Sequence, residues 1–260
     1  MKKNIKILYK NISSFFQNLF TTTYRTHKYI SDANAVTALH QRTFGKYRNC
    51  NEGKDIVLFA PGPSLNNYKP IDNTINIGVN RTILCDKIKL DYFFAIDYHA
   101  VKDYIEKVLE YPDLKLFYGS LFRSIYTLQE LKSNGLYVIP ESVINRHKAG
   151  KFFVYPKWPA KNYHLSPDID LTWFGNGYSC IFPAFQFALF TNPKRIYLVG
   201  CDSTIGYFNE KTNKEPKKHK LLYKLWKEMK EFADIYYPET EIISVNPVGL
   251  KGLFTDLYQE

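Results

Sequence analysis

The chain has 260 residues, 45% hydrophobic and 17% aromatic, enough for one sizeable core, which excludes disorder across its length. Its formal charge is +10 with no nucleic-acid module beside it, so the excess points to anionic ligands or an anionic membrane and excludes nucleic acid as the expected partner. No run of about 18 apolar residues is present, so no membrane-spanning helix is expected. The four cysteines (Cys50, Cys85, Cys180, Cys201) form no C-x-x-C pair and read as free, mostly buried thiols of a reducing cytoplasm.

Residues 1–50 read as a basic amphipathic segment. Lys2, Lys3, Lys6 and Lys10 alternate with Ile5, Ile7, Leu8, Ile12, Phe15, Phe16, Leu19 and Phe20. On a helix the apolar residues fall largely on one side, a face that suits the main domain, a second subunit or an anionic membrane. The segment has no clean apolar stretch followed by a cleavage site, so a signal peptide is not expected. Residues 51–260 read as the main domain. Ile56–Ala60 is a buried strand that stops at Pro61-Gly62-Pro63-Ser64, and Asn76–Val79 is a second, followed by Asn80. Tyr92–Ile96 is a third strand, ending at Asp97, and Leu114–Tyr118 and Leu136–Ile139 are shorter ones. The stretch from His147 to Asp170 is irregular and reads as a binding insertion or a lid, with Trp158, Tyr163 and, just beyond it, Trp173 able to stack on a ligand. Gly175-Asn176-Gly177-Tyr178-Ser179 precedes an apolar helix, Ile181–Phe190, in which Pro183 must lie in the first turn or make a kink. Arg195–Gly200 is another buried strand, ending at Cys201-Asp202. Polar residues 203–219 form a candidate lid, Lys217–Tyr236 a helix, and Glu241–Val245 a last strand. Strands alternating with helices make this an α/β chain with a mostly parallel sheet flanked by helices.

Polar or glycine-rich residues close four of these strands: Gly62 and Ser64, Asn80, Asp97 and Asp202. In a parallel sheet such ends share one edge, which is where ligands bind. Gly62 allows close approach to the backbone, and Ser64 is placed to cap a following helix and to turn N–H groups toward an anion. Asn80, Asp97 and Asp202 are open to a second reading, as ordinary helix caps. His219 stands where the lid meets its helix and can act as a general base or be simply solvated.

In this order the motifs resemble those of bacterial sialyltransferases of glycosyltransferase family 42 and of related bacterial glycosyltransferases with a strand followed by G-P-S-L. The resemblance runs from about Lys54 to Pro247 through Gly62-Pro63-Ser64-Leu65, Asn80, Gly175 to Tyr178, Arg195 to Asp202, His219 and Ser244-Val245-Asn246-Pro247. It implies a single Rossmann-like domain with a lid, and metal-independent, inverting transfer from a CMP-sialic acid donor to a glycan acceptor such as a cell-surface polysaccharide or lipooligosaccharide. No cofactor is implied. Gly62, Ser64, Asn80, Asp97, Gly175, Asn176 and Asp202 would bind the donor, and His219 would be the base. Ala60-Pro61 stands where the family has Gly-Asn, and Ser203-Thr204 follows Asp202 where the family has tyrosine. Tyr207 is then the remaining phosphate partner, with Lys217 or Lys218 as an electrostatic substitute. These departures extend the donor to other CMP-activated acidic sugars, such as Kdo or a related nonulosonic acid. The expected location is the cytoplasm, at the inner face of the membrane, and a homo-oligomer is compatible with the segment before residue 50. Two other readings stay open: a Mg²⁺-dependent nucleotide pyrophosphokinase, which would need clustered carboxylates, and a non-catalytic nucleotide-binding or membrane-scaffold protein.

Overall fold

The structure, a computed structural model, describes residues 40–95, 113–120, 152–156, 165–171, 179–204, 206–210 and 219–259, with Phe174 and scattered positions at 13–38 and 104–111. Eight strands form one sheet: β1 (Asp55–Phe59), β2 (Thr74–Val79), β3 (Tyr92–Ala95), β4 (Lys115–Ser120), β5 (Phe152–Pro156), β6 (Arg195–Val199), β7 (Glu241–Val245) and β8 (Thr255–Leu257). All neighbours pair in parallel. The spatial order is β5-β4-β3-β2-β1-β6-β7-β8. The chain builds outward from β1 to β5, returns to the other side of β1 as β6, and builds outward again. The direction of winding therefore reverses between β1 and β6, and the carboxyl ends of these two strands flank the crevice expected to hold a ligand.

Side-chain alternation places the two faces of β1 in two cores. Ile56, Leu58 and Ala60 join one cluster, while Val57 and Phe59 join the other. The first cluster contains α1 (Ile181–Phe190), whose ten residues are all buried. It is apolar all round because three layers surround it: β1, β2 and β3 above, Phe44 and Tyr47 beside Phe187, and Trp226 against Phe182 and Phe185. Pro183 is the third residue of α1, in the first turn, where its missing N–H removes no helical bond. Trp226 comes from α2 (Lys220–Tyr236), which buries Leu225, Trp226, Met229, Phe232 and Ala233 along one stripe.

Several boundaries and two strands differ from the sequence reading. The helix expected from Lys217 starts at Lys220, and Asp97 lies beyond the end of β3 and outside the described residues. Within His147–Asp170, read as irregular, Phe152–Pro156 is a strand at the sheet edge. Its period-two signal is masked by a fully apolar, aromatic run. β8 is a further strand outside the sequence reading; its three residues, Thr255-Asp256-Leu257, carry little pattern. Leu136–Ile139, Trp158, Tyr163 and Trp173 lie outside the described residues. The core also draws on residues before position 51: Phe44 is fully buried and packs on Phe117 and Phe174. Arg48 bonds Asp168 at 2.9 Å and Asp170 at 2.5 Å, tying this segment to the turn at 165–171. Further toward the N-terminus, described positions between 13 and 27 are helical, with Leu19, Phe20 and Tyr24 exposed. Cys85, Cys180 and Cys201 are buried and Cys50 is exposed, all as free thiols. Among the described residues no helix is long and apolar enough to cross a membrane.

Candidate functional site at the carboxyl ends of β1 and β6

The floor of the crevice is backbone against backbone. Beyond β1 and β6 the ladder continues, with the Ala60 N–H donating to Val199 O at 2.8 Å and the Gly62 N–H to Gly200 O at 2.9 Å. No side chain fits between them. A Cβ on Gly62 would meet Gly200 O at 2.3 Å and Asp202 Oδ2 at 2.5 Å, and one on Gly200 would meet Ala60 O at 2.0 Å. Gly249, in the loop after β7, is packed as closely: its Cβ would lie 2.0 Å from Asp202 O. Nothing in the sequence around Gly249 distinguishes it from an ordinary turn glycine.

Ser64 and Asp202 are brought together here. Pro63–Asn67 forms a short 3-10 turn whose capping position is Gly62, so Ser64 lies inside the turn and does not cap it as expected. Its N–H instead donates to Asp202 Oδ2 at 2.8 Å, and its hydroxyl donates to Asp202 Oδ1. The carboxylate thus clasps the β1 loop to the β6 loop. Burial raises the Asp202 carboxyl above the usual carboxylate range, against the two bonds from Ser64, which lower it. The neighbouring Cys201 thiol is pushed up by burial and then by Asp202, so it stays protonated and is not a nucleophile.

Asn80 is not a cap either. It opens a 3-10 turn, Asn80–Leu84, whose capping position is Val79, and its side-chain Oδ1 is buried with no hydrogen-bond partner. Ser203 Oγ and Thr204 Oγ1, just past Asp202, are buried and equally without partners. Buried polar atoms normally find partners, and three such atoms beyond the ends of the two strands that flank β1 fit a polar ligand that supplies the missing bonds. The backbone is strained at the same places. Asn80 (φ +47°), Ser203 (φ +50°) and Asn246 (φ +47°) adopt left-handed conformations after β2, β6 and β7. Asparagine tolerates this conformation, whereas serine has less reason to adopt it. Ser203 and Thr204, which the sequence reading took only as departures from a tyrosine pattern, join the candidate site. Asn246 is used structurally: its N–H donates to Leu257 O at 2.7 Å and its amide to Asn67 O at 3.2 Å.

The loop that leaves β6 returns at His219, whose N–H donates to Ser203 O at 2.7 Å. His219 caps α2: Nδ1 accepts from the Leu222 N–H at 3.3 Å. That bond puts the proton of the neutral ring on Nε2. Taking a proton at Nε2 then requires the ring to change tautomer and release the cap, a loss of about 1 kcal/mol. Near its start the loop is pinned across the β1 loop, with the Phe208 N–H donating to Pro61 O at 2.9 Å and the Asn66 amide to Phe208 O at 2.8 Å. Tyr207 is partly exposed and lies under the Arg81 guanidinium, 4.1 Å from ring centre to Cζ. Gly62, Ser64, Asn80, Asp202, Tyr207 and His219 therefore gather around the β1/β6 crevice. Asp97, Gly175, Asn176, Lys217 and Lys218 lie outside the described residues. Among the described residues no three His, Cys, Asp or Glu side chains cluster as a metal site would require.

No family model and no curated protein matches the chain. Among solved structures it is similar to the MAf glycosyltransferase from Magnetospirillum magneticum, at 10% identity and a TM-score of 0.46, over 86% of this chain and 38% of that one. The chain thus spans well under half the length of that protein. It is also similar to the sialyltransferase CstII from Campylobacter jejuni in complex with a substrate analogue, at 14% identity and a TM-score of 0.41, over 78% of this chain and 86% of that one. A sialyltransferase CST-II complex with trisaccharide acceptor and CMP gives 12% identity and a TM-score of 0.43 over the same shares.

Proposed function

We propose that the protein is a metal-independent, inverting glycosyltransferase that moves sialic acid or a related acidic sugar from a CMP-activated donor to a glycan acceptor. The observation that carries this reading is the crevice where the sheet reverses. The glycines there let the β1 and β6 loops pack backbone on backbone, and Asn80, Ser203 and Thr204 hold buried polar atoms without partners. Such a crevice suits a nucleotide, and the resemblance carried by G-P-S-L, Asn80, Asp202 and His219 supports a CMP-sugar as that nucleotide. Gly62, Ser64, Asn80, Asp97, Gly175, Asn176 and Asp202 are the proposed donor-binding residues and Tyr207 a phosphate partner. In the reaction the acceptor oxygen bonds to the anomeric carbon, the bond from that carbon to the phosphate oxygen breaks, CMP leaves, and His219 takes the hydroxyl proton. Most of the rate then comes from positioning the reactants and neutralising the leaving phosphate.

A thermal-shift screen against CMP, UDP, GDP and ATP, with and without Mg²⁺, tests the class. Stabilisation by CMP alone and independent of Mg²⁺ is expected, whereas an ATP response that needs Mg²⁺ supports the pyrophosphokinase reading. Both oxygens of Asp202 accept from Ser64, which favours the transferase reading over one in which this carboxylate holds a metal. His219→Ala is expected to lose transfer, to keep CMP binding, and to lose about 1 kcal/mol through the cap. His219→Asn restores a cap but no base, so it should recover the stability and not the activity. Turnover near wild type in either variant would show that His219 is not the base.

The basic N-terminal segment supports a place at the cytoplasmic face of an anionic membrane. Deleting residues 1–20 is then expected to abolish co-sedimentation with vesicles rich in anionic lipid. Unchanged co-sedimentation would assign the segment to another contact, such as a second subunit.

A further inference from the structure

We propose that Arg81 receives the phosphate of the bound nucleotide and that Glu210 occupies its place in the unliganded protein. The inference rests on the nucleotide reading of the crevice and adds to it the group that recognises the anion. Arg81 directly follows Asn80 at the carboxyl end of β2, the strand next to β1. Its Nη1 bonds Glu210 Oε1 at 2.9 Å, and both side chains are more than a third exposed or close to it. The guanidinium carbon lies 4.1 Å from the centre of the Tyr207 ring, with the Tyr104 side chain also beside it. The ring contact restrains the guanidinium, whose planar fork of donors has the geometry that takes a phosphate bidentately.

The glutamate is not needed to hold its loop in place. Two other bonds, from the Phe208 N–H to Pro61 O and from the Asn66 amide to Phe208 O, already pin residues 206–210 to the β1 loop. An ion pair at this exposure contributes little by itself. Exchanging Glu210 for the phosphate, singly charged in the donor and doubly charged in released CMP, therefore replaces one charge-assisted pair by another at little cost. The arrangement also meets a need of the chemistry. In the metal-independent transfer proposed above, a positive side chain would neutralise the leaving phosphate, and Arg81 puts one directly beside Tyr207, the proposed phosphate partner.

The test compares the affinities of the full-length protein for CMP and for cytidine, by calorimetry, in wild type, Arg81→Gln, Arg81→Lys and Glu210→Gln. The dissociation constant for cytidine divided by that for CMP isolates the phosphate. Arg81→Gln should reduce that ratio by about tenfold or more, and Arg81→Lys should recover only part of it. Glu210→Gln should raise the ratio about threefold by removing the competing carboxylate. Cytidine affinity should stay the same throughout. The gain in Glu210→Gln cannot come from misfolding, so it guards against a trivial loss in the arginine variants. Binding of CMP with an unchanged ratio in Arg81→Gln, or weaker CMP binding in Glu210→Gln, overturns the assignment of Arg81 alone. Failure of wild type to bind any nucleotide overturns the nucleotide site itself and this proposal with it.

Discussion

Gly200→Ala is expected to destabilise the protein by about 2–4 kcal/mol, from left-handed strain of about 1 kcal/mol and overpacking of about 1–3 kcal/mol. Gly200 has φ +67°, and its added Cβ would stand 2.0 Å from Ala60 O. The carbonyl it meets cannot swing away, because the flanking N–H groups of Ala60 and Gly62 are both bonded across to the β6 side. Relief would need β1 and β6 to part where the sheet changes direction. Two other glycines separate the contributions. Gly53 shares the left-handed conformation (φ +73°) but has open space around it, so Gly53→Ala should cost only about 1 kcal/mol. Gly45 has neither constraint, and Gly45→Ala should stay within about 0.5 kcal/mol of wild type. Urea denaturation of the three variants orders them. A Gly200→Ala midpoint no lower than that of Gly53→Ala would contradict the close crossing of β1 and β6. Ligand affinity should fall together with stability only in Gly200→Ala, since only this glycine lies on the crevice floor.

Much of the sheet was legible in the sequence because buried parallel strands are short, apolar and bounded by turn residues. β1, β2, β6 and β7 have this form, and their ends were placed within about two residues. The stripe of α2 was equally plain, whereas α1 was legible only as an apolar run, since a helix buried on all sides has no polar face to mark it. The edge strands β5 and β8 were missed because pairing with a neighbour, and not any local pattern, makes them strands. At the site, the sequence pointed to the right strand ends but not to what each residue does there. Ser64 and Asn80 read equally well as helix caps. Only the three-dimensional structure shows that Ser64 is used by Asp202, and that Asn80 Oδ1 is left without a partner. Ser203, Thr204, Gly249, Arg81 and Glu210 gave no signal of their own, because each matters through a neighbour distant in the chain.

Replacing Asp202 separates the structural use of its carboxylate from any use of its charge. Burial holds the folded carboxyl above its ordinary value of 3.8, and the bonds from Ser64 offset this only in part. A carboxyl raised on folding binds its proton more tightly in the native state than in the unfolded chain. Its contribution to stability is therefore complete below the unfolded pKa and is lost as pH rises from there through the folded value. Once ionised, Asp202 contributes less to the fold than its protonated form does. Asp202→Asn keeps an oxygen to accept from the Ser64 N–H, gains an amide to donate to the Ser64 hydroxyl, and removes the charge. It is expected to be at least as stable as wild type at pH 7, with the advantage shrinking toward zero as pH falls to about 4. Asp202→Ala leaves the buried Ser64 N–H and hydroxyl unpaired and should cost about 2–3 kcal/mol near pH 4, where wild type keeps its full contribution, and less at pH 7. Denaturation of the three proteins across this range checks the sign. Equal losses in both variants at pH 7 would mean that the ionised carboxylate stabilises the fold, contrary to the burial argument. A fold-stable Asp202→Asn variant then serves as the cleanest probe of the crevice. If it binds CMP as wild type does, Asp202 is a clasp between loops and the ligand is read by Asn80, Ser203 and Thr204; if binding falls by about tenfold or more, the carboxylate itself reaches the nucleotide.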